Sequence, residues 1–589
     1  MNNLELFSHL YRDPASSVRT NEILHFSIRT ELQKDIFFIC RSDSGEEIAD
    51  ERMSRSGDEY RCDIAFDKSG LYYYYFSDGG SEFLSMDRFG QTYLSNECCW
   101  AQLLVVDEKY APADSFFGGI AYQIFPDRFA ISGEVPRLPG RVYHDDISDI
   151  PVWRADSRGE IRNNDFYGGN LKGIESRLDY LSELGVTLIY LNPIFEARSN
   201  HRYDTGDYMV IDRQLGTEED FRCLCRSAKD RGIRIILDGV FSHTGDDSVY
   251  FNKYGSYPSL GAYQDRNSPY FSWYKFSSWP DRYDSWWGVS TLPEVDEMVE
   301  SYSEFIAGEG GVIDHWMKAG ASGFRLDVAD ELPDEFIRKI REAIRRNDPD
   351  GLLIGEVWED ASNKISYSRR RQYFWGEELD GVMNYPFKEA VLDFIREPDA
   401  ASFFDRVMNI YIHYPIQMLS SSLNMLSSHD TARAINALSA PGELHCSREV
   451  QASRTLDRSE YLRGIEMLKL AYALMFFLPG IPMVYYGDEI GMQGYGDPFC
   501  RGFFRSDAPD NNMLEFMKEL GKTRSRYRDV LADGELEFFH CDGAQIGFYR
   551  KNSHGRIAFL LNRGSEPAVF SVSGHETEVP AWQYRVIRL

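Results

Sequence analysis

Three acidic residues each close a short apolar run: Asp327 in Gly323-Phe-Arg-Leu-Asp327, Glu356 in Leu352-Leu-Ile-Gly-Glu-Val-Trp358 and Asp430 in Met425-Leu-Ser-Ser-His-Asp430. Glu356 follows Asp327 by 29 positions, the length of one strand, loop and helix; Asp430 follows by a further 74, about two such units. The strands of a parallel barrel all end on one face, so carboxylates this far apart in sequence can converge there. Three carboxylates around one cavity suit cleavage of a glycosidic bond: one acid, one nucleophile, one charge to steady the transition state. Arg325 precedes Asp327 by two residues, so both side chains can point into a barrel. A guanidinium in that place helps to keep Asp327 ionised.

The intervening chain alternates strand and helix. Leu171, Ile174, Leu178 and Leu181 share one helical face, and the apolar strand Val186–Asn192 follows. Thr217-Glu-Glu-Asp220 reads as a capping box opening the next helix, which leads to the strand Ile233–Asp238. The rhythm recurs at 312–328, 334–357 and 463–487. So many βα units predict an α/β fold, a closed eight-stranded (β/α)8 TIM barrel over about 109–532. One interval is too long. Asp238 to Asp327 spans 89 positions, roughly twice one unit, which predicts a lobe inserted after the third strand at about 244–300.

The two ends read differently from the middle. Residues 1–108 carry short alternating runs, including Ile23–Ile28, Asp35–Cys40, Tyr60–Phe66 and Leu71–Phe76, separated by Gly- and Asp-containing turns; they predict an N-terminal β-sandwich. From 533 to 589 short strands return, as a C-terminal β-domain. A net charge of −29 argues against nucleic acid as a partner. The chain has no run of 18 apolar residues, so no membrane partner is expected. The nine scattered cysteines lack zinc-ligand spacing, and Met1–Phe7 has neither a basic nor an apolar leader region; both features predict a cytoplasmic protein with reduced thiols.

Four short matches, in order, resemble the α-amylase family, glycoside hydrolase family 13: Asp238-Gly-Val-Phe-Ser-His243, Gly323–Asp327, Gly355-Glu-Val-Trp358 and Leu426-Ser-Ser-His-Asp430. Tyr122–Phe129, Ser199-Asn-His-Arg-Tyr-Asp-Thr205 and Gly480–Glu489 support them over some 370 residues. The resemblance implies Asp327 as nucleophile, Glu356 as general acid/base and Asp430 as transition-state stabiliser. It implies sugar contacts at His243 and His429, stacking at Tyr203 with His201 and Asp204 beside it, and a bracing role for Asp238 beneath Arg325. The β-rich N-terminal region is similar to that of the neopullulanase, cyclomaltodextrinase and maltogenic amylase group. It implies α-glucan oligosaccharides as substrates, by hydrolysis or by transfer to an acceptor sugar, and either starch binding or a homodimer through the N-terminal domain. A non-catalytic glucan-binding protein would be expected to lack one of the acids, and none is missing.

The chain departs from that group at several points. Leu292-Pro-Glu-Val-Asp296 replaces the usual Met-Pro-Lys-Leu-Asn of the lobe, and Ser242 replaces an Asn. Where the group has calcium loops, this chain has Ser132-Gly-Glu134 and Gly168-Gly-Asn170, which offer a hard cation less charge. No cofactor is required on this basis, with calcium an open alternative. Tyr270, Trp273, Tyr274, Trp279, Trp286 and Trp287 of the lobe are candidates for stacking against glucose units beyond the cleaved bond.

Overall fold

A computed structural model describes residues 3–87, 90–157 and 159–589. Its centre is one parallel sheet of eight strands: Ala121–Ile124, Leu188–Leu191, Arg234–Gly239, Gly323–Leu326, Leu352–Gly355, Gly381–Val382, Leu423–Met425 and Ile481–Tyr485. Neighbours in sequence are neighbours in the sheet, the eighth strand pairs the first, and a parallel bridge between Met383 and Leu423 closes the ring. The strands are buried on both faces, as a sheet enclosed by helices requires. Ala121, Leu188, Tyr190, Ile236, Leu352, Ile354 and Met483 pack together in one cluster drawn from strands around the ring. Gly323 lets the fourth and fifth strands close up: with φ at 146°, a Cβ there would lie 2.0 Å from the Leu352 carbonyl oxygen.

Local signals explain several helix starts. Thr217 and Asp220 form the reciprocal capping box ahead of Glu218–Lys229, and Asp457 with Glu460 form another ahead of Arg458–Phe477. The single helix expected over 171–181 is instead two, Leu171–Glu175 and Leu178–Glu183, broken at Ser176–Arg177. Its apolar face survives, because Leu171, Ile174, Leu178 and Leu181 are all buried.

The N-terminal part stacks a four-stranded sheet on a seven-stranded one. Phe26, Phe38, Tyr74 and Phe76 interleave between them, the Phe26 and Phe38 rings 4.7 Å apart. The short helix Asn3–Leu6, which the strand-like reading of this region did not include, precedes the sandwich. At the other end, strands from Glu535 to Arg588 form a four-stranded sheet and a hairpin. Arg550 fastens this part to the barrel by donating to the Phe477 carbonyl at 3.0 Å, at the C-terminus of Arg458–Phe477, where a cation is favoured.

Residues 244–299 form a lobe of 3-10 turns and two-residue to three-residue strands between the third strand and helix Glu300–Ala307. Its aromatics divide. Trp273 and Tyr274 are buried, and Tyr270 packs on Trp273 with ring centroids 4.8 Å apart, so these build the lobe's own core. Trp279 donates to the Ala262 carbonyl and also belongs to the packing. Only Trp286 and Trp287 stack as an outward pair, with centroids 4.5 Å apart, and Trp287 is 72% exposed. Of the six candidates for stacking, then, Tyr270, Trp273, Tyr274 and Trp279 pack the lobe and Trp286 and Trp287 are left to face outward: a lobe with so little regular structure needs most of its rings as core.

Candidate active site

Asp327 stands one residue beyond the fourth strand and Glu356 one beyond the fifth, while Asp430 lies in the turn after the seventh. All three open at the C-terminal rim. Arg325, fully buried on the fourth strand, joins the first two: Nη1 donates to Asp327 Oδ1 at 2.9 Å and Nη2 to Glu356 Oε2 at 2.6 Å. Nη1 also donates to Asp238 Oδ1 at 2.7 Å. Two carboxylates bridged by one guanidinium suit the short separation, about 5–5.5 Å, of a retaining pair.

Backbone strain contributes to the same geometry. Val328 has φ 35°, an outlier for a β-branched residue, and its N–H thereby donates to Glu356 Oε2 at 2.9 Å. Trp358 Nε1 donates to Glu356 Oε1 at 3.0 Å. With Oε2 already accepting twice, Oε1 is the oxygen with room for a proton.

The floor is a single hydrogen-bonded network. Gln123 Nε2 donates to His429 Nδ1 at 2.8 Å, which leaves Nε2–H of His429 to donate to Tyr203 Oη at 2.6 Å. The Tyr203 hydroxyl in turn donates to Asp238 Oδ2 at 2.7 Å, as does Tyr190 at 2.6 Å. His243 is held between the Ser242 hydroxyl and the Tyr203 carbonyl, both at 3.0 Å. Asp204 accepts from the Ser199 backbone N–H at 3.1 Å and from its hydroxyl, and His201 Nδ1 lies 3.0 Å from that hydroxyl. Both therefore shape the turn that carries Tyr203.

Burial sets the electrostatics. It pushes the Asp327 carboxyl well above its usual range, against the pull of Arg325 and with help from Glu356. Burial also raises Asp238. It lowers His243 to about 4 and holds His429 well below its ordinary value, the latter also through Arg501, so both rings are neutral donors and acceptors. Asp430 is raised by burial and drawn back by Arg501, which reaches it at 3.3 Å. Water touches 31% of the Asp430 side chain, so its upward push is the weaker one.

Arg501 is a site residue that sequence motifs did not reveal; it also donates to the His429 carbonyl at 2.8 Å and pairs with Asp497 at 2.8 Å. The available signal was Asp497 and Arg501 in a loop just beyond the eighth strand, with no helical or strand pattern to account for them. Gln123 was likewise hidden inside an apolar strand.

The profile described as "Alpha amylase, catalytic domain" matches residues 123–532, more than half of the chain. The chain belongs to the α-amylase family. Within it, an amylopullulanase of Thermoanaerobacterium saccharolyticum is 35% identical over 518 residues, 80% of this chain and 39% of that protein. The chain thus spans about two-fifths of that relative's length. A cyclomaltodextrinase of Geobacillus thermopakistaniensis is 32% identical over 483 residues, covering 80% of this chain and 73% of its own. Among solved structures, the type III pullulan hydrolase of Thermococcus kodakarensis superposes with a TM-score of 0.70 at 24% identity, over 98% of this chain and 99% of that one. That likeness covers the fold from the N-terminal sandwich to the C-terminal strands.

The segments Ser132–Glu134 and Gly168–Asn170 are joined by direct hydrogen bonds. Asn170 donates to the Ser132 carbonyl at 2.8 Å, accepts from Ser132 N–H at 3.2 Å and caps the following helix through Gly173 N–H at 2.7 Å. Glu134 is exposed, and no group of three His, Cys, Asp or Glu side chains able to hold a metal occurs among the described residues. The Asn170 amide oxygen thus accepts from two backbone N–H groups.

Proposed function

We propose that the chain is a retaining glycoside hydrolase cleaving α-1,4-glucosidic bonds, and α-1,6 bonds as well, in maltodextrins, pullulan, cyclodextrins or starch. The observation that carries this is the bridge from Arg325 to both Asp327 and Glu356. Asp327 attacks the anomeric carbon while Glu356 gives its proton to the departing glycosidic oxygen, leaving a glycosyl ester on Asp327. Glu356, now a base, takes a proton from water, which attacks the same carbon and frees the carboxylate. Asp430, steadied by Arg501, faces the positive charge that develops between these steps. Tyr203 supplies a ring for the sugar face, and His243 and His429 exchange their present partners for sugar hydroxyls. His201 and Asp204 act on the sugar mainly by placing Tyr203.

Beyond the cleaved bond, Trp287 Nε1 donates to Glu331 Oε1 at 2.9 Å and Tyr367 Oη to Glu331 Oε2 at 2.6 Å. The lobe and the loop after the fifth strand thus meet over one carboxylate, and their exposed rings offer stacking surfaces to further glucose units. A narrowed cleft of this kind favours short oligomers or cyclodextrins over amylopectin.

The test is the product profile on pullulan, cyclodextrin and linear maltodextrin side by side, with the anomeric form of the first product read by NMR. Release of the α-anomer supports double displacement, and release of the β-anomer overturns it. Products longer than a maltotriose substrate would move the activity to glycosyl transfer, and tight oligomer binding without new reducing ends would leave only glucan binding. Part of the same proposal is a cytoplasmic enzyme that needs no calcium and dimerises through its N-terminal domain. Chelation by EDTA should leave activity and melting temperature unchanged, and sedimentation should give twice the chain mass.

A further inference from the structure

The loop leaving the fifth strand carries Glu356 at its root, Trp358 against the Glu356 carboxylate and Tyr367 at the cleft rim. It has little regular structure of its own: two paired segments of two residues, Ile365–Ser366 and Arg369–Arg370, with Tyr367 and Ser368 turning between them at φ 49° and 60°. Such a loop cannot hold its own position and needs external anchors.

Some anchors lie on the barrel, where Lys364 pairs with Asp330, Arg371 with Asp334 and Ala361 N–H bonds the Tyr414 hydroxyl; a second set leads to the N-terminal part of the chain, in one case through His413 of the helix Ala400–His413. Asp360 Oδ2 meets His413 Nδ1 at 2.6 Å, and His413 Nε2 meets Glu5 Oε1 at 2.9 Å. Gln102, buried on the last sandwich strand, donates to the Ser362 hydroxyl at 2.7 Å and accepts from Asn363 Nδ2 at 2.8 Å. Its backbone N–H donates to the same Glu5 oxygen at 2.9 Å. Asp43 takes both arms of the Arg370 guanidinium at 2.9 and 3.0 Å, and Asp107 N–H bonds the Trp375 carbonyl at 2.9 Å. Between Asp360 and Trp375 the loop is therefore held on one side by the N-terminal part, at Ser362, Asn363, Arg370 and Trp375, and on the other by the barrel, with Trp358 and Tyr367 on its open edge.

We propose that Glu5, Asp43 and Gln102 are positioning residues for the acid/base loop: the N-terminal sandwich sets the leaving-group side of the cleft within the same chain, without touching substrate. This rests on the hydrolase reading above. A sugar leaving group must lie against Trp358 and Tyr367 while Glu356 protonates it, so a slackened loop costs alignment in proportion to how far the substrate extends past the cleaved bond. A substrate with a minimal leaving group does not meet those rings.

Asp43→Ala and Gln102→Ala, each in the full chain, should be compared on maltohexaose and on α-maltosyl fluoride. For maltohexaose, kcat should fall by about tenfold with KM within about twofold, while the fluoride kinetics stay unchanged. Asp43→Glu, which keeps the ion pair with Arg370, should recover most of the loss. Equal losses on both substrates, or a lowered melting temperature with neither substrate affected, would reduce the contacts to simple structural ones and overturn the proposal. If the unaltered chain turns over neither substrate, the hydrolase reading itself falls, and this inference falls with it.

Discussion

Two buried cations in this molecule are each gripped by carboxylates, and they are balanced in opposite ways. Arg325 faces three at once, Asp238, Asp327 and Glu356. His413 faces two, Glu5 and Asp360, and both of those receive further donors: Gln102 N–H reaches Glu5, while the Ser362 N–H and hydroxyl reach Asp360. Around Arg325 negative charge is in surplus, and burial drives Asp327 and Asp238 upward. Around His413 the two carboxylates have the imidazolium between them and Arg12 near Glu5, so Glu5 and Asp360 stay lowered in spite of burial and the imidazole is raised to about 9. The same ingredients give a reactive cluster in one place and a rivet in the other. Surplus like charge leaves a proton to be traded between groups, which chemistry needs and stability does not.

The comparison breaks most sharply at Asp327. Asp327→Asn should lower turnover by more than about 10³-fold, because no other group can form the ester, while oligosaccharide binding persists. The same change removes one surplus charge, so the melting temperature should hold or rise. Residual turnover within about tenfold of the original would reassign the nucleophile, and a clear fall in melting temperature would deny the surplus. Glu356→Gln comes next. It removes the proton donor, so maltodextrins should lose far more rate than an activated aryl glycoside, whose leaving group departs without protonation. Equal losses on the two would remove Glu356 from the acid role.

The reactive cluster was legible in the sequence to a much greater degree than the rivet. Asp327 and Glu356 terminate strands, and a strand end in a parallel barrel has a known direction, so residue type and spacing were enough to bring them together. Arg325 followed from the two-residue period. The lobe was legible as excess length, but its rings were not assignable, since burial of Trp273 and exposure of Trp287 depend on a local fold with no periodicity. The break at Ser176–Arg177 was invisible because it leaves the apolar spacing intact. Glu5, Asp360 and His413 carry no local signal at all: Glu5 and His413 are 408 positions apart and meet only through docking of separately folded parts. Arg501 was missed for a related reason, as a loop residue whose partners His429 and Asp430 lie on another loop.

At the rivet, loss of one charge should destabilise. Asp360→Asn removes the charge-assisted hydrogen bond at Nδ1 while Glu5 stays as the counter-charge at Nε2, a loss of about 2 kcal/mol. The measurement is chemical denaturation of the two proteins at neutral pH. A difference near zero would mean that water already reaches the cluster and would remove the contrast with Arg325.

The most specific test uses pH. The groups facing His413 are Glu5 from the N-terminal helix and Asp360 from the loop after the fifth strand, with Arg12 near Glu5. The folded imidazole titrates at about 9 against 6.5 when free, so the folded state holds its proton more tightly. Its contribution is therefore complete below about pH 6.5 and is lost as pH rises through about 9, with a full size of about 3 kcal/mol. Glu5 and Asp360 are lowered, so their shares are present above the ordinary carboxylate range and are lost as pH falls. The stability difference between the unaltered chain and His413→Gln should accordingly be widest near pH 6 and shrink steadily toward pH 10. A difference that is flat across this range, or that grows with pH, would mean that His413 is neutral in the folded chain and that the two clusters are not opposites.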